Sequence, residues 1–460
     1  MPATTTTDTT RSPDVAGPRP SPDTLRGRIE NYFEFERLKA DWKTEVLAGF
    51  TTFITMAYIV LVNPSILRDA GMPVGGVFAA TCIAAAVGTL LMGIVARYPI
   101  ALAPGMGLNA YFAYTVVKGM GIPWQTALGA VFISGVVFLV LTALGVRQWI
   151  VAAIPQSLYS SLGAGIGLFI AFIGLRNAGI IRADPATMVT MGSLSNPNTV
   201  LALFGIVLIA SLMAWRVKAA ILFGILGTTA VGAVFGLVHW QPQSFSWTQM
   251  SSTMLQLDIR SALGVGLLEI VFVFLFVDLF DNVGTLVAIS KKAGLQDEQG
   301  RIPRVSRILF CDATATIVGS LVGTTTVVSY VESAAGVAAG GRTGIPSIVT
   351  GLLFVAALFC APLIGAIPSA ATAPALIVVG SLMLSAVADI PWDDVCIAFP
   401  AFLTLITIPL TFSIANGLAF GLTAYVLIHL ARGRHREVPK AAWPLALVLM
   451  IRFLYMAHAH

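Results

Sequence analysis

Charge is scarce in this chain. Asp, Glu, Lys and Arg make up 11% of its 460 residues, against 57% hydrophobic residues. A water-soluble domain carries roughly 25% charged residues. Too little charge is present to cover a water-facing surface, so most of the surface must face lipid. Histidine is scarce too: there are five, at 239, 429, 435, 458 and 460, none of them central, and no HExxH pattern occurs. That removes the usual helix-borne zinc site of a hydrolase. An intramembrane enzyme would need a nucleophile with a base, or metal ligands, and neither set is visible. Four cysteines, Cys82, Cys311, Cys360 and Cys396, lie in or beside apolar stretches. Their spacing fits neither a metal site nor a disulfide framework, so they read as small packing residues. No alternating apolar pattern marks a β-barrel. No repeated filter motif marks a channel.

Apolar stretches of about 20 residues, each long enough to cross a bilayer as a helix, recur along nearly the whole chain. Fourteen segments are expected: 45–64, 75–96, 99–118, 124–145, 155–176, 198–215, 218–238, 262–289, 304–321, 322–341, 343–363, 367–387, 393–412 and 413–431. A further stretch at 441–456 contains Pro444 and Arg452 and reads as interfacial. Residues 1–25, rich in Thr, Pro and Asp, cannot bury an apolar face and read as a disordered tail without a signal peptide. Residues 26–37 (RGRIENYFEFER) read as an amphipathic helix on the cytoplasmic surface. With the N-terminus cytoplasmic, 21 of the 27 Lys and Arg fall inside. Arg68, Lys118, Arg176, Arg182 and Arg260 fall outside, and Arg452 is unassigned. This is the bias that the positive-inside rule requires.

The two halves resemble each other. PGMGLNAYFAYTVVKGMGIPWQTALGAVF in the first half matches VSYVESAAGVAAGGRTGIPSIVTGLLF in the second when the GIP triplets at Pro123 and Pro346 are aligned. The offset is 223 and places Asn109 on Glu332. Other blocks match in the same order: AAAVGTLL (84–91) with ATIVGSLV (315–322), IPQSLYSS with IPSAATAP, and ILFGILGTTA with GLAFGLTAYV. A repeat of seven segments is odd in number, so the second copy is inverted. Inverted repeats are the usual plan of secondary transporters, which hold substrate at the midplane between them. Segments 99–118 and 322–341 open on runs of Pro, Gly and Thr, which start helices poorly. Each reads as a short extended stretch followed by a half-helix. Such broken backbone is tolerated where it lines a cavity.

Ionisable groups inside a membrane are costly and usually functional. Segment 262–289 carries Glu269, Asp278 and Asp281. At about 100° per residue, Asp278, Asp281 and Thr285 share an arc of about 60°, with Glu269 on another face. Segment 322–341 brings Glu332, and Asp312 sits on the segment between. No Lys or Arg is close in sequence within the membrane. A carboxyl group buried without a cation holds its proton more readily, as proton coupling needs, and it can grip the N–H groups of a neutral ring. The plainer reading of such an acid is a helix cap or brace, which suits Asp312 as well as a functional role does. Tyr330, Ser333, Thr324, Thr325 and Thr326 supply polar and aromatic neighbours, and Tyr330 could stack on a flat base. Asp389, Asp393 and Asp394 read as a solvated loop.

GFTTFITMAYIVLVNP (49–64), APGMGLNAYFAY (103–114), VDLFDNVGTL (277–286) and SYVESAAGVAAGGRTG (329–344) closely resemble the AzgA-like adenine/guanine/hypoxanthine permeases of the nucleobase–cation symporter-2 superfamily. The resemblance covers about residues 28–456. It implies an all-α polytopic membrane protein of fourteen segments in a 7+7 inverted repeat, with short strands before the half-helices of segments 3 and 10. A tail at 1–25 and an amphipathic helix at 26–43 would precede the first repeat, 44–238. An external loop at 239–261, the second repeat at 262–432 and a C-terminal tail at 433–460 would follow. Segments 1–4 and 8–11 would form a core domain, and segments 5–7 and 12–14 a gate domain. It further implies binding roles for Asp281, with Asp278 one turn away, and for Glu332 and Asn109, and it matches Tyr330 to an aromatic position; Ser333, beside Glu332, completes the expected substrate-binding set. Proton coupling would fall to Glu332, Asp281 and Asp278, with Asp312, Thr285 and Thr325 in support. Two positions depart from the uracil and xanthine branches: Thr285, and Gly107 at the repeat equivalent of Tyr330. A wider pocket on that side suits a purine. The expected function is import of purine nucleobases with protons across the cell (inner) membrane, without cofactor or metal, and with a homodimer allowed. The alternatives are a uracil or xanthine carrier, or an anion transporter of the same fold. Glu332 would repel an anion.

Overall fold

The computed structural model describes residues 24–145, 155–238, 247–264, 268–297, 302–364, 366–447 and 449–450. Residues 1–23 of the tail expected at 1–25, the loop residues 239–246, and residues 448 and 451–456 of the apolar segment expected at 441–456 lie outside them.

Helices dominate. Two short helices, α1 (Leu25–Tyr32) and α2 (Phe35–Leu38), precede α3 (Trp42–Met56) and α4 (Ile59–Asp69). The single amphipathic helix expected at 26–37 is thus broken, because Glu34 adopts a left-handed backbone (φ 58°). Next come α5 (Val74–Leu91), the strand β1 (Leu102–Pro104), α6 (Met106–Ala110), α7 (Trp124–Ala143) and α8 (Gln156–Asn177). A hairpin of β2 (Ile181–Asp184) and β3 (Met188–Met191) leads to α9 (Pro197–Ala214) and α10 (Ala220–Val234). The second half holds α11 (Leu268–Ala293), α12 (Val305–Val322), β4 (Val327–Ser329), α13 (Ser333–Ala338) and α14 (Ile345–Ala357). It ends with α15 (Ser369–Met383), α16 (Val395–Thr411) and α17 (Ile414–Ala431). Among the described residues nine helices are long and apolar enough to cross a membrane, and three shorter apolar helices accompany them.

Proline starts several of these elements, because a helix does not need its first N–H groups. Pro123 precedes α7, Pro155 precedes α8, and Pro346 sits in the first turn of α14. The two GIP triplets therefore open corresponding helices. Gly323 ends α12 at φ +100°, and this left-handed residue turns the chain into the β-branched run Thr324–Val328 and strand β4.

The two short strands pair with each other. β1 and β4 are antiparallel, with Leu102 opposite Ser329, Ala103 opposite Val328 and Pro104 opposite Val327. A two-stranded ribbon leaves outer-edge backbone groups unpaired, which is costly away from water. Side chains satisfy them here. Thr89 on α5 donates to the Leu102 carbonyl (3.0 Å) and accepts from its N–H (2.9 Å). Thr316 on α12 does the same for Val327, at 3.1 and 3.2 Å. One threonine per half thus clips one strand in the same way. Asn282 Oδ1 accepts from Ser329 N–H (2.7 Å), and Ser333 Oγ accepts from Ala101 N–H (3.0 Å).

The hairpin β2–β3 was not expected. Its residues are largely exposed, so no apolar alternation announces it. An Asp184 side chain that accepts from Ala186 and Thr187 N–H makes the turn.

Candidate functional site

The ribbon aims two short helices from opposite halves. α6 follows β1 directly and continues as a π-helix over Tyr111–Gly119. α13 follows β4, with Glu332 at its N-cap. α11 passes beside both β4 and α13 and carries Asp278, Asp281 and Asn282.

Asp281 and Glu332 come together: each lies within electrostatic reach of the other, and Tyr330 senses both. Both keep some accessible surface, whereas Asp278, Asn282, Ser329, Tyr330 and Ser333 around them are buried. The apolar Val331 beside Glu332 is 58% exposed. This stretch is therefore partly accessible, while the residues around it are packed. Among the described residues, neither Asp281 nor Glu332 is paired with a Lys or Arg. The ion pairs there join Arg26 to Glu30, Arg37, Arg97 and Arg304 to Glu34, and Arg434 to Asp394 and Glu437.

Tyr58, at the junction of α3 and α4, donates its hydroxyl to Glu332 Oε1 (2.5 Å) and is fully buried. Sequence reasoning did not single it out, although it lies in the GFTTFITMAYIVLVNP stretch. Tyr330 donates its hydroxyl to the Pro104 carbonyl (2.6 Å), tying its ring to the opposite strand. Ser333 is fully buried and doubly engaged: its Oγ holds Ala101 N–H and its own N–H donates to the Tyr330 carbonyl (3.1 Å).

Asn109 joins a buried neutral network. Its Oδ1 accepts from Thr325 Oγ1, and its Nδ2 donates to Asn63 Oδ1 (2.7 Å). Asn63 Nδ2 then donates to Thr81 Oγ1 (2.7 Å) and Thr324 Oγ1 (2.9 Å). Asn109 N–H is held by the Gly105 carbonyl (2.8 Å). A second cluster centres on Asn282. Its Nδ2 lies 2.7 Å from Asp278 Oδ1 and 2.6 Å from Asp312 Oδ2, so one amide sits between two acids. The stripe expected on α11 is therefore divided. Asp278 turns to α12 with Asn282, and Asp281 turns to Glu332. Thr285 is partly buried one turn beyond Asp281. Tyr159 on α8 reaches over Gly284 and senses Asp281. Asn63, Asn282 and Tyr159 were also missed. Each is a neutral polar group whose partners are remote in sequence.

Two carboxyl groups without a Lys or Arg partner among the described residues, one on the long helix α11 and one at the start of the short helix α13, thus meet beside a ribbon that joins both halves of the chain. The chain belongs to the Permease family, whose Xan_ur_permease profile matches residues 43–420. It is 44% identical over 440 residues to the guanine/hypoxanthine permease PbuG of Bacillus subtilis, covering 93% of this chain and 100% of that one. It is 42% identical over 431 residues to the adenine permease AdeP of Escherichia coli, covering 94% and 97%. These relatives are transporters, not enzymes, in line with the resemblance read from the sequence. Among solved structures, the transmembrane domain of the cyanobacterial bicarbonate transporter BicA matches with a TM-score of 0.62 at 13% identity, covering 82% of this chain and 97% of that one. That likeness concerns the fold alone. The protein is a multi-pass membrane permease.

Proposed function

We propose that this permease imports purine nucleobases together with protons, and that Asp281 and Glu332 hold the base. The observation that carries this reading is the pair itself: two acids in mutual reach, without a Lys or Arg partner among the described residues, beside accessible space. The adenine and guanine/hypoxanthine permeases among the relatives support the same cargo. A protonated or ionised carboxyl can pair with ring N–H and amino groups, while an anionic cargo would be repelled. Glu332 keeps one oxygen on Tyr58 and offers the other to the base. The first N–H groups of the α6 turn, Met106 to Leu108, lack helical partners and suit ring acceptors. Tyr330 provides an aromatic face, and Thr285 lies one turn beyond Asp281 on the same helix. Asn109, Thr325 and Ser333 enter as braces of the strand crossing, and Asp312 braces Asp278 through Asn282. Asp278 joins Asp281 and Glu332 as a proton carrier.

The nine long helices, the three shorter ones and the two strand–helix elements would make fourteen segments in two inverted sets of seven. The paired threonine clips and the antiparallel ribbon support that symmetry. The core domain would hold segments 1–4 and 8–11 and move against a gate of segments 5–7 and 12–14. Both termini would be cytoplasmic, in the cell's inner membrane. In support, Arg97 and Arg304 gather at Glu34, while Lys118 and Arg176 gather at Tyr114 near the other end.

The test is uptake of labelled adenine, guanine, hypoxanthine, xanthine and uracil in cells lacking their own carriers, with a protonophore control. Purine uptake should exceed uracil uptake and collapse with the protonophore. Glu332→Gln should lower it by about 100-fold, the scale of a lost charged hydrogen bond. Unchanged affinity and pH dependence in that variant would overturn the assignment.

A further inference from the structure

One buried acid stands outside the site just described. Glu45, in the first turn of α3, is fully buried. Its carboxylate accepts from Arg342 N–H (2.9 Å), Thr343 N–H (3.1 Å) and Thr343 Oγ1 (2.6 Å). Those donors belong to the turn that links α13 to α14. In the same turn, the Arg342 guanidinium donates to the carbonyls of Val337 (2.7 Å) and Gly341 (2.8 Å), closing the C-terminal end of α13.

Between Glu45 and Tyr58 lies roughly 20 Å of helix, and α13 runs antiparallel along it. Its start is held where Glu332 meets Tyr58. In the middle, Gly336 lies so close to α3 that a Cβ there would overlap Thr52 Oγ1 and the Ala48 carbonyl. Further down, Gly340, at φ +109°, abuts Thr44. The end is held by Glu45. Thr44, Ala48 and Thr52 follow one another at i, i+4 on one face of α3, so a single stripe grips the whole element. A helix of six residues cannot hold its own position. Its placement comes from this contact.

We propose that Glu45 is a positioning residue for Glu332, acting through α13. It never meets the cargo. It fixes the far end of the short helix, so that the Glu332 carboxyl stands at one distance from Asp281. This inference rests on the reading that Glu332 binds the base. A carboxylate is required because three donors converge on it. A glutamine would turn an N–H group toward at least one of them.

The experiment measures uptake kinetics and equilibrium binding of radiolabelled adenine and hypoxanthine. It uses the full-length protein with Glu45→Gln, Glu45→Asp, Thr343→Val and Glu332→Gln, with membrane abundance measured for each. Glu45→Gln should raise KM and Kd by about tenfold per folded molecule, the low end of the range for a lost charged hydrogen bond because the effect reaches the cargo only through α13. Thr343→Val removes only one donor of the three, so it keeps the test open if Glu45→Gln fails to fold, and it should raise KM about threefold at normal abundance. Glu45→Asp should restore part of the affinity. In the Glu332→Gln background, Glu45→Gln should weaken binding no further. If Glu45→Gln and Thr343→Val lower only abundance or maximal rate, with KM and Kd unchanged, Glu45 merely supports folding and the inference fails. If Glu332→Gln itself binds both bases normally, the reading of Glu332 fails, whatever Glu45 does.

Discussion

A tyrosine hydroxyl spends its single proton on one acceptor. Tyr58 gives that proton to Glu332, which orients the carboxyl and occupies one oxygen. Tyr58→Phe should therefore leave the fold intact, raise KM for adenine about three- to tenfold, and alter the pH profile of uptake. A profile and KM equal to those of the parent protein would show that the hydrogen bond does not matter. At this scale the sequence is informative about charge and quiet about everything else. Asp281 and Glu332 stand out because an acid in an apolar stretch is rare. Tyr58, Asn63 and Asn282 do not, because neutral polar residues are common there. Their roles depend on partners remote in sequence, such as Thr324 for Asn63 and Asp312 for Asn282. Asn109 and Ser333 were legible as important positions, but not as groups whose hydrogen bonds are spent on the scaffold.

The elements that matter most are the least regular. A ribbon of two short strands survives inside a membrane protein because Thr89 and Thr316 close its outer edges. Thr89→Val or Thr316→Val would leave a buried N–H and carbonyl unpaired, at about 1–3 kcal/mol for each group. Each variant should melt earlier in detergent than a Thr→Val change at an exposed site such as Thr411. Equal melting would contradict the role of the clips. Pro, Gly and Thr runs made the breaks in segments 3 and 10 legible, whereas strand pairing between halves could not be read from either half alone. At the proposed cytoplasmic face, burial raises the Glu34 carboxyl. The hydrogen bond from Arg37 and the charges of Arg304 and Arg97 outweigh this and hold it below its ordinary 4.5. A carboxyl with a lowered folded pKa stabilises the fold above its ordinary pKa, and that stability is lost as pH falls through the folded value. Protection of the α1 and α2 amides, relative to the intrinsic exchange rate at each pH, should therefore fall as pH drops through that lowered value. Protection that persists to pH 3 would remove Glu34 from the docking of these helices.

Across the whole molecule, a polar seam joins the proposed core and gate on the side opposite Glu34. Ser65 and Thr372 share a hydrogen bond (3.0 Å), and Arg68 donates to Ser369 (2.6 Å). Asn177 donates to the Tyr114 hydroxyl (3.0 Å), which donates to Asp69 (2.6 Å). The proposed alternating access would require these contacts to part. Cysteines at Ser65 and Thr372, with Cys360 replaced by serine, should cross-link on oxidation and stop uptake until a reductant is added. Full uptake with the link formed would mean that the seam does not open. The multi-pass membrane character was legible because lipid imposes length and apolarity on each helix that crosses it. Which neutral groups fasten the moving parts was not. In the proposed cycle two acids bind an uncharged base and a proton together. Its most direct test is the internal pH of proteoliposomes carrying the purified protein, followed as adenine is added outside. The lumen should acidify with adenine uptake and stay silent with Glu332→Gln. Adenine entry driven by a sodium gradient, with no pH change and no loss in that variant, would contradict the account.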